Sequence, residues 1–247
     1  MLQPHFIAKL KEHNLMNKPI RNIVFDLGNV IINIDPDLTL QKFRNSGVSN
    51  FDEMYTIMRQ SDVFDRLDTG KITLPEFRNA IREYTKIDLP DEQIDDAWCA
   101  MLLDFPDENI ELLRKLRVGG YKLFLLSNTN QMHIDYYTEY LKQQTGKSLL
   151  SDLFDRTYYS HEIGYRKPNC EAFEFVLKAE GLKPAETLFI DDLEHNVIGA
   201  RKTGMQAYHH LKGNRLVNLF DVSPGVQNEK RLSGKNSEQP STHYENN

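Results

Sequence analysis

Three polar clusters each follow an apolar run directly: Asp26-Leu27-Gly28-Asn29 after Ile23-Val24-Phe25, Ser127-Asn128-Thr129-Asn130 after Leu123-Phe124-Leu125-Leu126, and Asp191-Asp192 after Leu188-Phe189-Ile190. A fourth, Gly164-Tyr165-Arg166-Lys167-Pro168, stands just ahead of a helical pattern. A carboxylate at the end of a buried run is costly unless it binds a cation or does chemistry. Three carboxylates drawn together raise one another's pKa unless a cation neutralises them. Hard oxygen ligands with open positions suit Mg²⁺, which keeps waters and bridges to phosphate. The Ser127 hydroxyl and the backbone N–H groups around Asn128, at a helix start, form a phosphate cradle, and Lys167 adds a positive charge for the same anion. The set reads as a metal-assisted phosphoryl-transfer site with a carboxylate nucleophile. Each member alone has a plainer reading as a helix cap, a turn residue or a surface charge. Their order and their shared place at strand ends favour chemistry.

The elements that must position these residues alternate. Residues 20–32 read as strand-like, 107–117 as a helix closed by Gly119-Gly120, and 121–126 as a strand. Helix 130–142, strand 156–159, helix 169–179, strand 187–190, helix 194–202 and strand 205–209 follow. Gly after a helix is the expected terminator. Alternation of this length predicts an α/β, Rossmann-like parallel sheet core, whose active residues gather at the carboxyl ends of the strands. Residues 35–104 change character. Phe51, Met54, Ile57 and Met58 share one helical face, Phe77, Ala80, Ile81 and Tyr84 a second, and Ile94, Ala97, Trp98 and Met101 a third. The expected organisation is an N-terminal extension at 1–19, a core at 20–34 and 105–222, an inserted helical cap at 35–104, and a disordered tail at 223–247.

With 247 residues, 40% hydrophobic and 27% charged, the chain has the composition of an ordinary globular protein. A net charge of −6 with no basic stripe argues against nucleic acid as the main partner. Cys99 and Cys170 have neither metal nor redox spacing and read as thiols of a reducing compartment. No segment reads as a signal peptide or a membrane span, so the expected location is the cytoplasm.

The ordered motifs Phe25-Asp26-Leu27-Gly28-Asn29, Ser127-Asn128, Arg166-Lys167-Pro168 and Asp191-Asp192 resemble those of the haloacid dehalogenase-like superfamily of hydrolases, over residues 20 to about 220. Their wording is most similar to the α-D-glucose-1-phosphate phosphatase branch, with the phosphatase domain of soluble epoxide hydrolase more distant. The resemblance implies a Mg²⁺-dependent phosphatase acting on a small phosphorylated metabolite, a sugar phosphate, through an aspartyl-phosphate. By position, Asp26 would attack phosphorus. Mg²⁺ would be held by Asp26, the Gly28 carbonyl and Asp192, with Asp191 ordering a metal-bound water. Ser127 and Asn128 would bind the phosphoryl group, Lys167 would steady it and the nucleophile, and the cap would close over the substrate.

Gly28 departs from the common pattern, where an Asp protonates the leaving group and then activates water. Loss of such a group costs about 10²–10⁴-fold in rate. Either the leaving group needs little acid, or a substrate group, a metal-bound water or Asp35 supplies it. Two rivals remain: 2-haloacid dehalogenation, with the same nucleophile and no metal, and a catalytically idle relative that binds a phosphometabolite in a regulatory role. Arg66, Lys71 and Tyr55 are the cap's candidate specificity residues. Residues 65–76 mimic a calcium loop, but Leu67 fills a position that needs an oxygen ligand, and Gly70 reads better as a turn. His209-His210 reads as structural, because adjacent strand residues face opposite ways.

Overall fold

The computed structural model describes residues 19–48, 51, 53, 55–56, 62–145 and 152–220. Five strands form one all-parallel sheet: β1 (Asn22–Phe25), β2 (Lys122–Ser127), β3 (Arg156–Tyr159), β4 (Thr187–Asp191) and β5 (Gln206–His209), in the order β3-β2-β1-β4-β5. Every residue of β1 and β4 is buried, as expected of parallel strands covered on both faces. Ile23, Phe25, Leu123, Leu125, Leu188 and Ile190 point into one apolar layer, and Val24, Phe124, Leu126 and Phe189 into the other.

After β1 the chain builds outward through β2 and β3, then returns to add β4 and β5 on the other side. The order therefore reverses at β1, which makes the carboxyl ends of β1 and its neighbours the crevice where ligands bind in such sheets. Phe25 pairs in register with Leu125 on one side and Ile190 on the other. That register brings Asp26, Ser127 and Asp191 to one edge.

The segment between β1 and β2 supplies α1 (Pro36–Asn45), α2 (Val63–Asp68), α3 (Leu74–Thr85), α4 (Asp91–Cys99) and α5 (Asp107–Val118). The two ends of the cap segment meet: the Asn33 N–H donates to the Asp104 carbonyl at 2.9 Å, and the Leu103 N–H to the Asn33 carbonyl at 3.0 Å. Phe77, Ile94 and Ala97 are fully buried. Phe64 stacks on Trp98 at 5.1 Å, so the aromatic stripe is packing. Of the first expected face, Phe51 is buried and stacks on Phe43 at 4.0 Å, whereas Met54, Ile57 and Met58 lie outside the described residues.

The remaining helices are α6 (Gln131–Thr145), α7 (Ser160–Ile163), α8 (Cys170–Ala179) and α9 (Glu194–Lys202). The first strand is shorter than its apolar run. Asn29 adopts a left-handed backbone (φ 54°), and the Ile31 and Ile32 N–H groups turn back to the Leu27 carbonyl. Leu27 and Val30 to Ile32 stay buried as a core-filling loop, so burial, not strand geometry, sets that run. Buried Asn109 ties the loop to α5, donating to the Ile31 carbonyl at 2.9 Å. Residues 1–18 of the expected extension and the expected tail at 223–247 lie outside the described residues.

Candidate active site

Lys167 is the centre of the site. Its side chain is 1% exposed, and its Nζ lies 2.6 Å from Asp26 Oδ1 and 2.7 Å from Asp191 Oδ2. The ammonium also sits over the Phe189 ring, 5.3 Å from the centroid. Asp26, Asp191 and Asp192 each offer a carboxylate oxygen, and these atoms lie within 4.8 Å of one another. Three carboxylates against one ammonium give a formal excess of two negative charges at a place where Asp26 and Asp191 are buried and Asp192 half-buried. That excess matches a divalent cation with oxygen ligands.

Amide side chains hold the charged groups in place. Asn29 Nδ2 donates to Asp192 Oδ2 at 3.1 Å, while Asn29 Oδ1 accepts the Ile34 N–H at 3.3 Å. Asp191, fully buried, accepts from Asn196 Nδ2 at 3.0 Å and from the Leu193 N–H at 2.8 Å. Asn128 clasps the lysine's own peptide units: its Nδ2 donates to the Lys167 carbonyl at 2.8 Å and its Oδ1 accepts the Lys167 N–H at 2.9 Å. The Asn128 amide thus holds the lysine loop through its oxygen and one of its two Nδ2 hydrogens, and Asn128 lines the cavity beside Ser127. Gly199 of α9 lets the same loop pack close, since a Cβ there would stand 2.3 Å from the Pro168 carbonyl oxygen.

Burial raises the pKa of Asp26 to about 7; Lys167 pulls it down, and Asp191 and Asp192 push it up. A cation in the cluster would draw it down again. Burial works against the charge on Lys167, but Asp191 and Asp26 outweigh it, so its pKa stays raised and the lysine charged. Burial also raises Asp192, against the Asn29 hydrogen bond.

A cavity of about 760 Å³ opens above this edge. Its floor includes Gly28, Ser127 and Asn128, and its cap-side wall includes Tyr55, Phe64, Asp65, Asp68 and Trp98. His133, 8% exposed, also lines it and stacks on Trp98 at 5.6 Å. Burial lowers the His133 pKa to about 4, against a bond to the Trp98 backbone. A depressed histidine pKa means that stability is full above the unfolded value near 6.5 and is lost as pH falls toward 4. The expected loss is about 3 kcal/mol. Denaturant unfolding at pH 7.5 and 4.5 checks this: the His133→Gln variant should lose less on acidification than the wild type. Equal losses would contradict the assignment.

The model of the family described as haloacid dehalogenase-like hydrolase matches residues 20–204. The chain belongs to that family. The D-ribitol-5-phosphate phosphatase of Bacteroides thetaiotaomicron is 31% identical over 194 residues, which is 78% of this chain and 93% of that protein. A crystal structure of a family enzyme from the same organism superposes with a TM-score of 0.77 at 36% identity, covering 82% of this chain and 98% of that one. That enzyme has also been crystallised with magnesium and inorganic phosphate, at TM-score 0.75, 36% identity and coverages of 81% and 98%. A hydrolase of the same family from Porphyromonas gingivalis gives 0.73 at 33% identity, covering 81% of this chain and 96% of that one.

In this haloacid dehalogenase-like hydrolase the structure gathers Asp26, Gly28, Ser127, Asn128, Lys167, Asp191 and Asp192 at one sheet edge. Other expected residues stand apart. Arg66 and Lys71 are exposed and do not line the cavity, unlike Tyr55. The Asp35 carboxylate caps α1 by accepting the Asp37 N–H at 3.1 Å. Glu76 belongs to a capping box with Thr73 rather than a calcium loop, and Gly70 is the turn ahead of α3 (φ 66°). His209 Nε2 pairs with the Asp192 carbonyl at 2.9 Å, which gives it a structural role beside the site. Among the described residues no helix is long and apolar enough to cross a membrane.

Sequence reasoning missed Asn29 and Asn196 as holders of Asp192 and Asp191. The Gly-Asn turn was the available signal for Asn29. It also missed Asp68 and Arg166 in the cavity wall, because the sequence does not say how α2 docks on the core.

Proposed function

We propose that this chain is a Mg²⁺-dependent phosphatase that hydrolyses a small phosphorylated metabolite through an aspartyl-phosphate on Asp26. The observation that carries the reading is the cluster itself: three converging carboxylates, with Lys167 bridging Asp26 and Asp191, beside the cavity floor lined by Leu27, Gly28, Ser127 and Asn128. Asp26, Asp192 and the Gly28 carbonyl would hold the cation, with Asp191 beside them. When bound, Mg²⁺ supplies charge neutralisation for the cluster and the incoming phosphate, which is what its donor set favours.

The chain's own residues perform the rest. Asp26 Oδ attacks phosphorus, forming an O–P bond as the ester P–O bond breaks and the alcohol leaves. Water then attacks the same phosphorus, releasing phosphate and restoring the carboxylate. Lys167 holds the nucleophile in position and spreads positive charge over the phosphoryl oxygens. Ser127 Oγ and the Asn128 backbone N–H bind those oxygens, while the Asn128 side chain fixes the lysine loop and the Thr129 N–H is held by Ser160 Oγ at 2.9 Å.

The substrate's organic part is read from the cavity. Asp37, Asp65 and Asp68 line it, and the one Lys or Arg among its described lining residues, Arg166, pairs with Asp65 and Asp68. Such a wall repels a second phosphate or a carboxylate and suits hydroxyl groups against aromatic faces. A neutral sugar or sugar alcohol monophosphate fits best. The phosphate released by the Bacteroides relative comes from a sugar alcohol ester, and this supports that class over the narrower glucose-1-phosphate reading. The two negative charges left in the cluster also favour a metal-dependent phosphatase over a metal-free dehalogenase.

The test is phosphate release from a panel of sugar, sugar alcohol and bisphosphorylated metabolites, with and without chelator. We expect turnover of one or more monophosphates, lost on chelation, with bisphosphates poor. Inactivity of the wild type across the panel, indistinguishable from Asp26→Asn, would favour the idle relative. Halide release from a 2-haloacid without metal would favour dehalogenation.

A further inference from the structure

Gly28 leaves the floor of the cavity without a side chain that could give a proton to a leaving group. We propose that Asp68, from the cap, is the general acid and base of this site. The proposal rests on the phosphatase reading above.

Asp68 is the last residue of α2 and lines the same cavity as Gly28, Ser127 and Asn128. Its side chain is 19% exposed and hydrogen-bonds with the Asn130 side chain, three residues beyond Ser127 on the same turn. Asn130 Oδ1 in turn accepts the His133 N–H at 3.2 Å, so the partner is itself fixed at the start of α6. Arg166 Nη2 approaches Asp68 Oδ2 at 3.8 Å, and Arg166 Nη1 pairs with Asp65. The helix is docked closely, since Gly70 lies against the His161 carbonyl, where a Cβ would stand 2.3 Å from the oxygen. Burial raises the Asp68 pKa to about 7, against the Asn130 hydrogen bond, a value suited to both giving and taking a proton near neutrality. The other carboxyls at hand are poorer choices. Asp35 is committed to capping α1, Asp37 is exposed, and the Asp65 side chain is 64% exposed and paired.

The proton balance closes. Protonated Asp68 gives its proton to the ester oxygen as the P–O bond breaks and the Asp26–phosphorus bond forms. The Asp68 carboxylate then takes a proton from the attacking water as the Asp26–phosphorus bond breaks. Phosphate leaves, and both side chains return to their starting states.

The experiment compares Asp68→Asn with the wild type on a sugar alcohol phosphate and on p-nitrophenyl phosphate, whose leaving group needs no proton. We expect kcat for the alkyl ester to fall about 10²–10⁴-fold. The aryl ester should still give a burst of nitrophenol stoichiometric with enzyme, followed by slow turnover, because the first bond still forms and the water step lacks its base. Gly70→Ala, which disturbs the docking of α2 at the His161 carbonyl without changing a cavity-lining residue, should retain the wild-type ratio of alkyl to aryl rates. Unchanged alkyl turnover in Asp68→Asn would overturn the proposal. So would equal loss of the aryl burst, or the same alkyl-selective loss in Gly70→Ala, which would assign the effect to cap anchoring. Failure of the phosphatase reading looks different, since wild type would then give no Asp26-dependent nitrophenol release.

Discussion

Asp26→Asn is expected to lower phosphate release by a factor on the order of 10⁴–10⁶, as removal of a nucleophile does elsewhere, while the protein stays folded. The substitution keeps the shape and removes the charge that forms the covalent bond. Asp26 is 8% exposed, and burial already works against its ionised form. Lys167 retains Asp191 at 2.7 Å after the change, so no buried charge is stranded. The metal-free variant should therefore unfold at the same temperature as wild type or higher. Phosphate assays beside thermal unfolding read both halves. A large drop in stability would mean that lost activity says nothing about nucleophilic attack.

Lys167→Met separates the two properties differently. It removes the ammonium that lies 2.6 Å from Asp26 and 2.7 Å from Asp191, leaving three carboxylates converging with no cation. Breaking a buried charge network on one side costs about 3–5 kcal/mol. We expect that loss in metal-free protein by denaturant unfolding, with part recovered on adding Mg²⁺. Activity should fall about 10³-fold, the upper range for loss of one preorganised electrostatic donor. Lys167→Arg should not restore it, because a planar guanidinium cannot take the place of a point charge in a 1% exposed slot. Wild-type stability in Lys167→Met would contradict the charge arrangement described above.

Much of this was legible in the residues. Apolar runs of three or four residues, each ending in a polar group, give parallel strands whose carboxyl ends must hold those groups together, and Asp26, Ser127 and Asp191 do meet there. The capping box at Thr73 and the turn at Gly70 follow from local chemistry alone. Long-range docking was not legible. Arg66 and Asp68 are two residues apart on α2, yet Arg66 faces away and Asp68 lines the cavity. Residue type suggested the arginine, whereas the rotation of α2 against Arg166 and Asn130 selects the aspartate. The amide clasps were hidden for the same reason. Asn128 meets the backbone of Lys167 across 39 positions of sequence, and no local pattern announces that pairing.

The central claim is that Asp26 bonds to phosphorus. Rapid acid quench during turnover of a phosphate ester with Mg²⁺, followed by peptide mass spectrometry, tests it directly. One added phosphoryl group on the peptide carrying Asp26, absent from Asp26→Asn, is the predicted result. A turning-over enzyme that carries no phosphoryl group at quench, or carries it on another residue, would contradict it.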